Sequence, residues 1–151
     1  MYTEPHRYDL HKNLKTSSGT SAAEKTYYKP ADGALQEING QEADIIFERV
    51  AWAFFAVDGM SSRILMPYPH EPFREPVLWR KYDDISVKDR LDQLDVPESE
   101  KDLFDTLVSS FGSAPGKDIG FTEVLRWYAL GGHSLAGTFE MASIYKIGEV
   151  A

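Results

Sequence analysis

The clearest candidates for chemistry in this sequence are Trp127 and Tyr128, adjacent aromatic residues in the stretch 121–130. A helix there carries their rings on an apolar face with Phe121, Val124 and Leu125. Aromatic side chains on a helix usually belong to a hydrophobic core. The functional alternative is a pocket wall for an apolar or cationic amine, because an aromatic face attracts an ammonium group. The local sequence leaves both interpretations open.

Other chemistries lack the residues they need. The segment 112–118, GSAPGKD, resembles a phosphate loop, but only three residues separate its glycines, and Asp118 stands where a hydroxyl would bind magnesium. A carboxylate at that position repels phosphate, so we interpret the segment as a loop between helices. No two glycines are two residues apart, so the dinucleotide motif G-x-G-x-x-G is absent and nothing visible here would bind FAD.

Metal and nucleophile sites are also not indicated. The four histidines lack the helical spacing of metal ligands, and no serine, histidine and aspartate order is persuasive; the histidines are His6, His11, His70 and His133. The absence of cysteine excludes disulfides, zinc thiolates and thiol nucleophiles within the chain. The sequence therefore contains no group of residues that supports a small hydrolase or a metalloprotein.

Composition fits a single globular domain. The chain has 151 residues, of which 42% are hydrophobic, enough for a core. A formal charge of −8 disfavours nucleic acid and anionic membranes as partners. The longest apolar-rich run, 50–57, is far shorter than the roughly 20 residues of a membrane span, and no secretory signal is visible. We expect an intracellular protein, cytoplasmic or peroxisomal.

Periodicity and breakers predict an α+β, mainly helical fold of about five helices with one short β-hairpin. The hairpin covers residues 25–38, and a basic helix or extended arm precedes it near 8–14. Helices are predicted over 41–57, from Val87 with Ser86 as its cap, from about 98 to 112, over 121–130, and from a Ser134 cap to about Ile147. Four prolines within 66–76 predict an extended, non-helical path there.

Four segments, in this order, resemble the fungal-type flavin monoamine oxidases. They read RYDLHKNLKTSSGT, FFAVDGMSSRILMPYPHEPF, KYDDISVKDRLDQL and FTEVLRWYALGGHSLAGTFEMASIYKIG. That family oxidises amines to imines with FAD and releases hydrogen peroxide. The resemblance covers the helical, substrate-side part of the fold and implies a small amine as substrate. It implies no catalytic, cofactor-binding or metal-binding residue in this chain, and a substrate-pocket wall formed by Leu107, Ser110, Trp127, Phe139 and Ser143.

The sequence also departs from the family. Asp9 stands where we align a small turn residue, and the glycine-rich flavin motif, the lysine that supports flavin chemistry and the aromatic pair facing the flavin are missing. We therefore expect residues 1–151 to be a single partial domain without the FAD-binding domain, inactive alone and binding no FAD. Apolar helix faces that the rest of such an enzyme would cover should be exposed. They would favour a complementing amine oxidase chain or self-association. The alternative is a non-catalytic helical interaction module derived from the family.

Overall fold

The computed structural model describes residues 6–9, 12, 14–16, 25–29, 33–142 and 145–147. Its architecture is α+β and mainly helical, as predicted. The helices are α1 (Gly40–Phe54), α2 (Ser62–Leu65), α3 (Val87–Asp92), α4 (Glu98–Gly112), α5 (Phe121–Leu130) and α6 (Leu135–Ala142). The strands are β1 (Leu14–Thr16), β2 (Thr26–Tyr28), β3 (Gln36–Ile38) and β4 (Tyr145–Ile147). Helical 3-10 turns cover Leu78–Tyr82 and Gly116–Asp118. None of the helices described is long and apolar enough to cross a membrane.

The strands form two separate antiparallel pairs. β2 and β3 make the predicted hairpin, with Thr26 opposite Ile38. β1 pairs with β4, with Leu14 opposite Ile147. The prediction that the last helix continues to Ile147 is therefore wrong, because α6 ends at Ala142 and β4 follows. Tyr145 and Ile147 are good strand formers, and this preference together with the pairing to β1 outweighs helical periodicity.

The N-terminal ends of the helices follow local sequence rules. The Asn39 side chain accepts a hydrogen bond from the Glu42 amide at 2.9 Å and caps α1. The predicted capping box of α3 is confirmed, since Ser86 and Asp89 bond to each other's backbone amides. α4 follows Pro97 and has acidic residues in its first turn, where the helix dipole favours them.

The end of α1 comes earlier than its apolar pattern predicts. The helix stops at Phe54, and Asp58 and Gly59 then take positive φ angles of 51° and 75°. The Asp58 carboxylate accepts hydrogen bonds from Lys81 Nζ at 2.8 Å and Tyr82 Oη at 2.7 Å. These contacts hold the turn at Asp58 and Gly59 against the 3-10 turn at Leu78–Tyr82, and they lower the pKa of Asp58.

The proline-rich segment is a series of turns rather than the extended path predicted. Backbone bonds from Glu71 to Tyr68 and from Arg74 to Glu71 close consecutive turns. Trp79 Nε1 donates to the Pro72 carbonyl at 2.9 Å, and Arg126 Nε donates to the Pro69 carbonyl at 3.1 Å. The prolines do exclude a helix, as predicted. These tertiary hydrogen bonds hold the segment against the helices instead of leaving it extended.

Aromatic rings from three helices form the centre of the core. Phe54 of α1, Phe104 of α4 and Phe121 of α5 are almost completely buried. The Phe54 ring centroid lies 5.2 Å from that of Phe104 and 5.4 Å from that of Phe121. Distances in this range are typical of favourable aromatic pairs. These ring contacts therefore join α1, α4 and α5 at the centre of the core.

A buried arginine completes the C-terminal end of α1. Arg90 of α3 donates to the carbonyls of Phe54, Ala53 and Ala56 at 3.0, 2.9 and 2.7 Å, and to Gln93 at 3.0 Å. The last carbonyls of a helix lack partners within the helix and carry partial negative charge. Arg90 donates the hydrogen bonds that these carbonyls lack. α1 itself cannot provide such a donor, because its last turn has no basic residue.

Candidate functional site

A small apolar groove lies where α4, α5 and α6 meet the end of α1. It encloses about 30 Å³, roughly the share of liquid volume that one water occupies. Its walls are Phe55, Phe104, Leu107, Val108, Phe111, Val124, Trp127, Tyr128, Leu135, Thr138 and Phe139.

The structure brings together three of the five residues that the resemblance assigns to the substrate wall. Leu107 of α4, Trp127 of α5 and Phe139 of α6 all line the groove. Ser110 does not line it; its side chain is exposed and its hydroxyl donates to the Leu107 carbonyl of the same helix at 2.7 Å. Ser143 lies outside the described residues.

Tyr128, which the sequence offers with Trp127 as a possible pocket wall, also lines the groove. The other wall residues were not predicted as site residues, although helical spacing from the predicted ones indicates several of them. Phe104 and Phe111 are three and four residues from Leu107, Val124 is three from Trp127, and Leu135 is four from Phe139. Residues at such spacing share a helix face. Phe55 had no local signal, because it reaches the groove only through the packing of α1 on the other helices.

Stacked rings form the inner wall of the groove. The rings of Phe55 and Tyr128 are nearly parallel, with centroids 3.9 Å apart and an interplanar angle of 10°. At the outer edge, the ring centroids of Phe111 and Phe139 are 6.0 Å apart. Burial raises the pKa of the Tyr128 phenol, and Glu48 adds to this effect. Tyr128 therefore keeps its proton and acts as a neutral aromatic wall.

Two polar groups of the wall already have hydrogen-bond partners within the chain. Trp127 Nε1 donates to Glu123 at 2.8 Å, and Thr138 Oγ1 donates to the Ser134 carbonyl at 2.8 Å. No charged side chain lines the groove as the structure describes it. The groove can therefore hold an apolar or aromatic group, while any attraction for a cation would come from ring faces rather than a carboxylate.

Two glycines allow α6 to approach the end of α5. A Cβ on Gly131 would lie 2.6 Å from Thr138 Cα, and one on Gly137 would lie 2.9 Å from the Gly131 carbonyl carbon. Real Cβ contacts are essentially never shorter than 3.0 Å. Both residues belong to the segment GGHSLAG, and their absent side chains set the position of Phe139.

The loop between α5 and α6 is also fastened to α2. His133 has a φ of 61°, and its Nδ1 lies 3.1 Å from Ser62 Oγ. The Arg63 guanidinium donates to the Gly132 carbonyl at 2.9 Å. Burial lowers the pKa of His133, and the nearby positive charge of Arg63 lowers it further. His133 thus joins the loop between α5 and α6 to α2. Residues 33–142 and the shorter described stretches contain no cluster of histidine, aspartate and glutamate side chains suited to a metal ion.

The glycine-containing segment that resembles a phosphate loop is an inter-helix connection. α4 ends in a left-handed Ser113, and Gly116–Asp118 forms a 3-10 turn before α5. Beside it, one carboxylate oxygen of Asp105 is buried and has no hydrogen-bond partner. Burial raises the pKa of this carboxyl group. The end of α4 and the 3-10 turn confirm our interpretation of the segment as a loop between helices.

Comparison with known proteins gives a distant similarity. No protein-family model matches the chain. Over 147 residues, or 97% of its length, the chain is 23% identical to a pseudooxynicotine dehydrogenase from a Pseudomonas species. The aligned region is only 28% of that relative's length. The chain is thus distantly related to part of a dehydrogenase, and the related part includes every element of the groove.

Proposed function

We propose that this chain forms the substrate-side helical portion of an FAD-dependent enzyme that oxidises amines to imines. The observation that carries the proposal is the convergence of Leu107, Trp127 and Phe139, from three helices, on one apolar groove. The resemblance assigns these residues to the substrate wall on sequence grounds alone. The similarity to pseudooxynicotine dehydrogenase supports the same oxidoreductase lineage.

In this function the groove binds the apolar part of the amine. Burial of apolar surface supplies about 25 cal/mol per Å², so the rings of Trp127, Phe139 and Tyr128 would provide most of the binding energy. Their faces also favour a nearby ammonium group. The groove has a volume of about 30 Å³, which is small for an amine, so under this proposal its partly exposed wall residues shift to admit the ligand.

The residues described here do not fit a flavin dinucleotide. The sequence has no G-x-G-x-x-G motif, and no charged side chain that could bind a pyrophosphate lines the groove as the structure describes it. Under this proposal FAD is held by other polypeptide, and this chain binds, orients and shields the amine. Oxidation of the amine is the chemistry that the flavin would supply.

A transplant experiment tests this role. The 151 residues replace the corresponding segment of a fungal-type flavin monoamine oxidase, and flavin absorbance first reports whether the chimera has folded and bound FAD. We expect a flavin-loaded chimera to be bleached by an arylalkylamine under anaerobic conditions. Leu107→Trp, which fills the groove, should raise KM at least tenfold, whereas Phe73→Ser, far from the groove lining, should not.

The same experiment separates the second candidate, a non-catalytic interaction module. That candidate is favoured by the high exposure of Trp52 and Ile45, 79% and 65%, which does not serve the groove. A chimera that binds stoichiometric FAD but is not reduced by any amine would contradict the substrate-side role and favour the module.

A further inference from the structure

The outer face of α1 carries large apolar side chains. Trp52 is 79% exposed and Ile45 is 65% exposed, whereas Val50, Ala51 and Phe54 on the opposite side of the helix are buried. Leaving an indole and an isoleucine in water forgoes the free energy that their burial would provide. α1 therefore carries apolar side chains on two opposite sides. The hydrophobic core of the protein buries only one of these sides.

Helical geometry puts the two exposed residues on one stripe. Ile45 and Trp52 are seven residues apart, which is two turns of helix and about 10 Å along its axis. Glu48 and Arg49, both exposed and of opposite charge, lie between them. The order along this face is apolar, acidic, basic, apolar. We call Ile45, Glu48, Arg49 and Trp52 the outer stripe.

The outer stripe is complementary to itself. If a second helix runs antiparallel about a two-fold axis between positions 48 and 49, Ile45 faces Trp52 of the second copy and Trp52 faces Ile45. The same axis places Glu48 opposite Arg49 of the second copy, so that each charge meets its opposite. An isologous interface requires this property, in which one patch on both copies satisfies itself. A parallel pairing would instead place Ile45 against Ile45 and Trp52 against Trp52 of the second copy.

We propose that the outer stripe is a docking surface for a second copy of this chain, packed antiparallel along α1. The inference is independent of the groove and of the proposed function. It commits to a homodimer because both the apolar positions and the charges match under one symmetry operation.

Two features limit the strength of this dimer. Arg49 already donates from its Nε and its Nη2 to the two carboxylate oxygens of Glu100, so only part of its charge acts across the axis. A contact between two helices is also at the small end of specific interfaces, which commonly bury about 1,600 Å² in total. We therefore expect a dissociation constant on the order of 100 µM.

Sedimentation equilibrium of the purified chain tests the proposal. The measurement is made near physiological ionic strength, where a screening length of about 8 Å reduces repulsion between two chains of charge −8. We expect a monomer–dimer equilibrium that Trp52→Ser weakens at least tenfold. Phe73→Ser is the matched control, because Phe73 is 76% exposed but lies outside the outer stripe, and it should leave the dissociation constant within twofold.

A charge-exchange experiment tests the pairing of Glu48 with Arg49 of the second copy. Glu48→Arg places two arginines opposite two arginines of the second copy, and Arg49→Glu does the same with glutamates, so each variant alone should dimerise at least tenfold more weakly. Mixed together they should form a heterodimer, because each basic pair then meets an acidic pair. Circular dichroism of each variant verifies that α1 still folds.

Three results would overturn the proposal. The first is a wild-type chain that stays monomeric to roughly 1 mM, which would leave the outer stripe to a different protein. The second is a dimer that Phe73→Ser weakens as much as Trp52→Ser does. The third is a pair of folded charge variants that remain monomeric when mixed, which excludes the pairing of Glu48 with Arg49 of the second copy.

Discussion

Two neighbouring parts of the helical body, both next to the C-terminal end of α1, are held together by different kinds of contact. In one part, which we call the scaffold end, α1, α3 and the 3-10 turn at Leu78–Tyr82 are joined by directional bonds. Arg90 donates to three carbonyls near the end of α1, and Asp58 joins its turn to Lys81 and Tyr82. At the groove end, α4, α5 and α6 meet through partly exposed rings and the close backbone approach at Gly131 and Gly137.

This difference indicates which end can change shape. Hydrogen bonds to buried groups are costly to break without replacement, so they fix the scaffold end in one arrangement. Apolar contacts are non-directional and can be remade after a small shift. A groove that must enlarge to admit a ligand is therefore best placed at the second end, with the first as its fixed support.

One substitution made at both ends tests the contrast most strongly. Phe54→Ala removes a ring with no exposed surface and should lower the free energy of unfolding by about 4 kcal/mol, because the surrounding rings cannot close the cavity. Phe139→Ala removes a partly buried ring and should cost about 1.5 kcal/mol. Urea denaturation followed by far-UV circular dichroism measures both values. Equal losses would contradict a distinction between a rigid end and an adaptable end.

Removing the buried cation tests the scaffold end alone. Arg90→Met retains much of the side-chain volume but leaves the carbonyls of Ala53, Phe54 and Ala56 without their donor, so we expect a loss of about 3 kcal/mol. Arg80→Met is the matched control, because Arg80 is exposed, and it should change stability by less than about 0.5 kcal/mol. The midpoint of urea unfolding distinguishes the two variants. An Arg90→Met protein as stable as the control would show that water replaces the guanidinium at no cost.

The backbone contact of the groove end can be tested with a pair of glycines. Gly131→Ala places a methyl group against the backbone of Thr138 and should destabilise the protein by about 2 kcal/mol through overpacking. Gly40→Ala adds a methyl group at the start of α1 where no atom lies within 4 Å, and should stabilise the protein by about 0.5 kcal/mol. Thermal unfolding of the two variants should therefore shift in opposite directions. A neutral Gly131→Ala would show that α6 is free to move away from α5.

The smallest effect that we expect concerns the pH dependence of the loop at His133. Its folded-state pKa is lowered below the ordinary value of 6.5, first by burial and then by Arg63, so protons bind more readily to the unfolded chain. Stability should be complete above about pH 7 and decrease as the pH falls through 6.5 towards the folded-state pKa. Urea midpoints at pH 7.5 and 5.5 measure this loss.

His133→Asn is the appropriate control for this measurement. Asparagine tolerates the positive φ of this position but does not titrate, so the decrease between the two pH values should be smaller than in the wild-type chain. An identical decrease in both proteins would assign the pH dependence to other groups.

Local sequence rules predict most of the helical part of this fold. α5 matches its predicted span of 121–130, Ser86 and Asp89 form their capping box, and the 25–38 hairpin is present. In each case the determining contacts lie within a few residues of each other. The predicted helix over 134–147 is wrong beyond Ala142, because the strand at Tyr145–Ile147 depends on pairing with residues about 130 positions earlier, and the proline-rich turns depend on bonds from Trp79 and Arg126.

The candidate site also contains residues that could be predicted from the sequence and residues that depend on contacts between distant elements. The resemblance places Leu107, Trp127 and Phe139 in one wall, and the structure brings these three together. It does not bring Ser110 to the groove, because the Ser110 side chain is exposed and its hydroxyl bonds back to the Leu107 carbonyl of the same helix. Phe55 lines the groove, and Arg90 binds the end of α1, only because elements distant in sequence pack together. No local sequence pattern predicts such packing.

The positions of the tryptophans have a practical consequence. The sequence has three of them, all within the described residues: Trp79 is 8% exposed at the scaffold end, Trp127 lines the groove, and Trp52 is 79% exposed on the outer stripe. Since indole emission depends on the polarity around the ring, replacing two of the three by phenylalanine leaves a fluorophore that reports one region. Three such double variants would let the same unlabelled molecule report separately on unfolding, ligand entry and self-association.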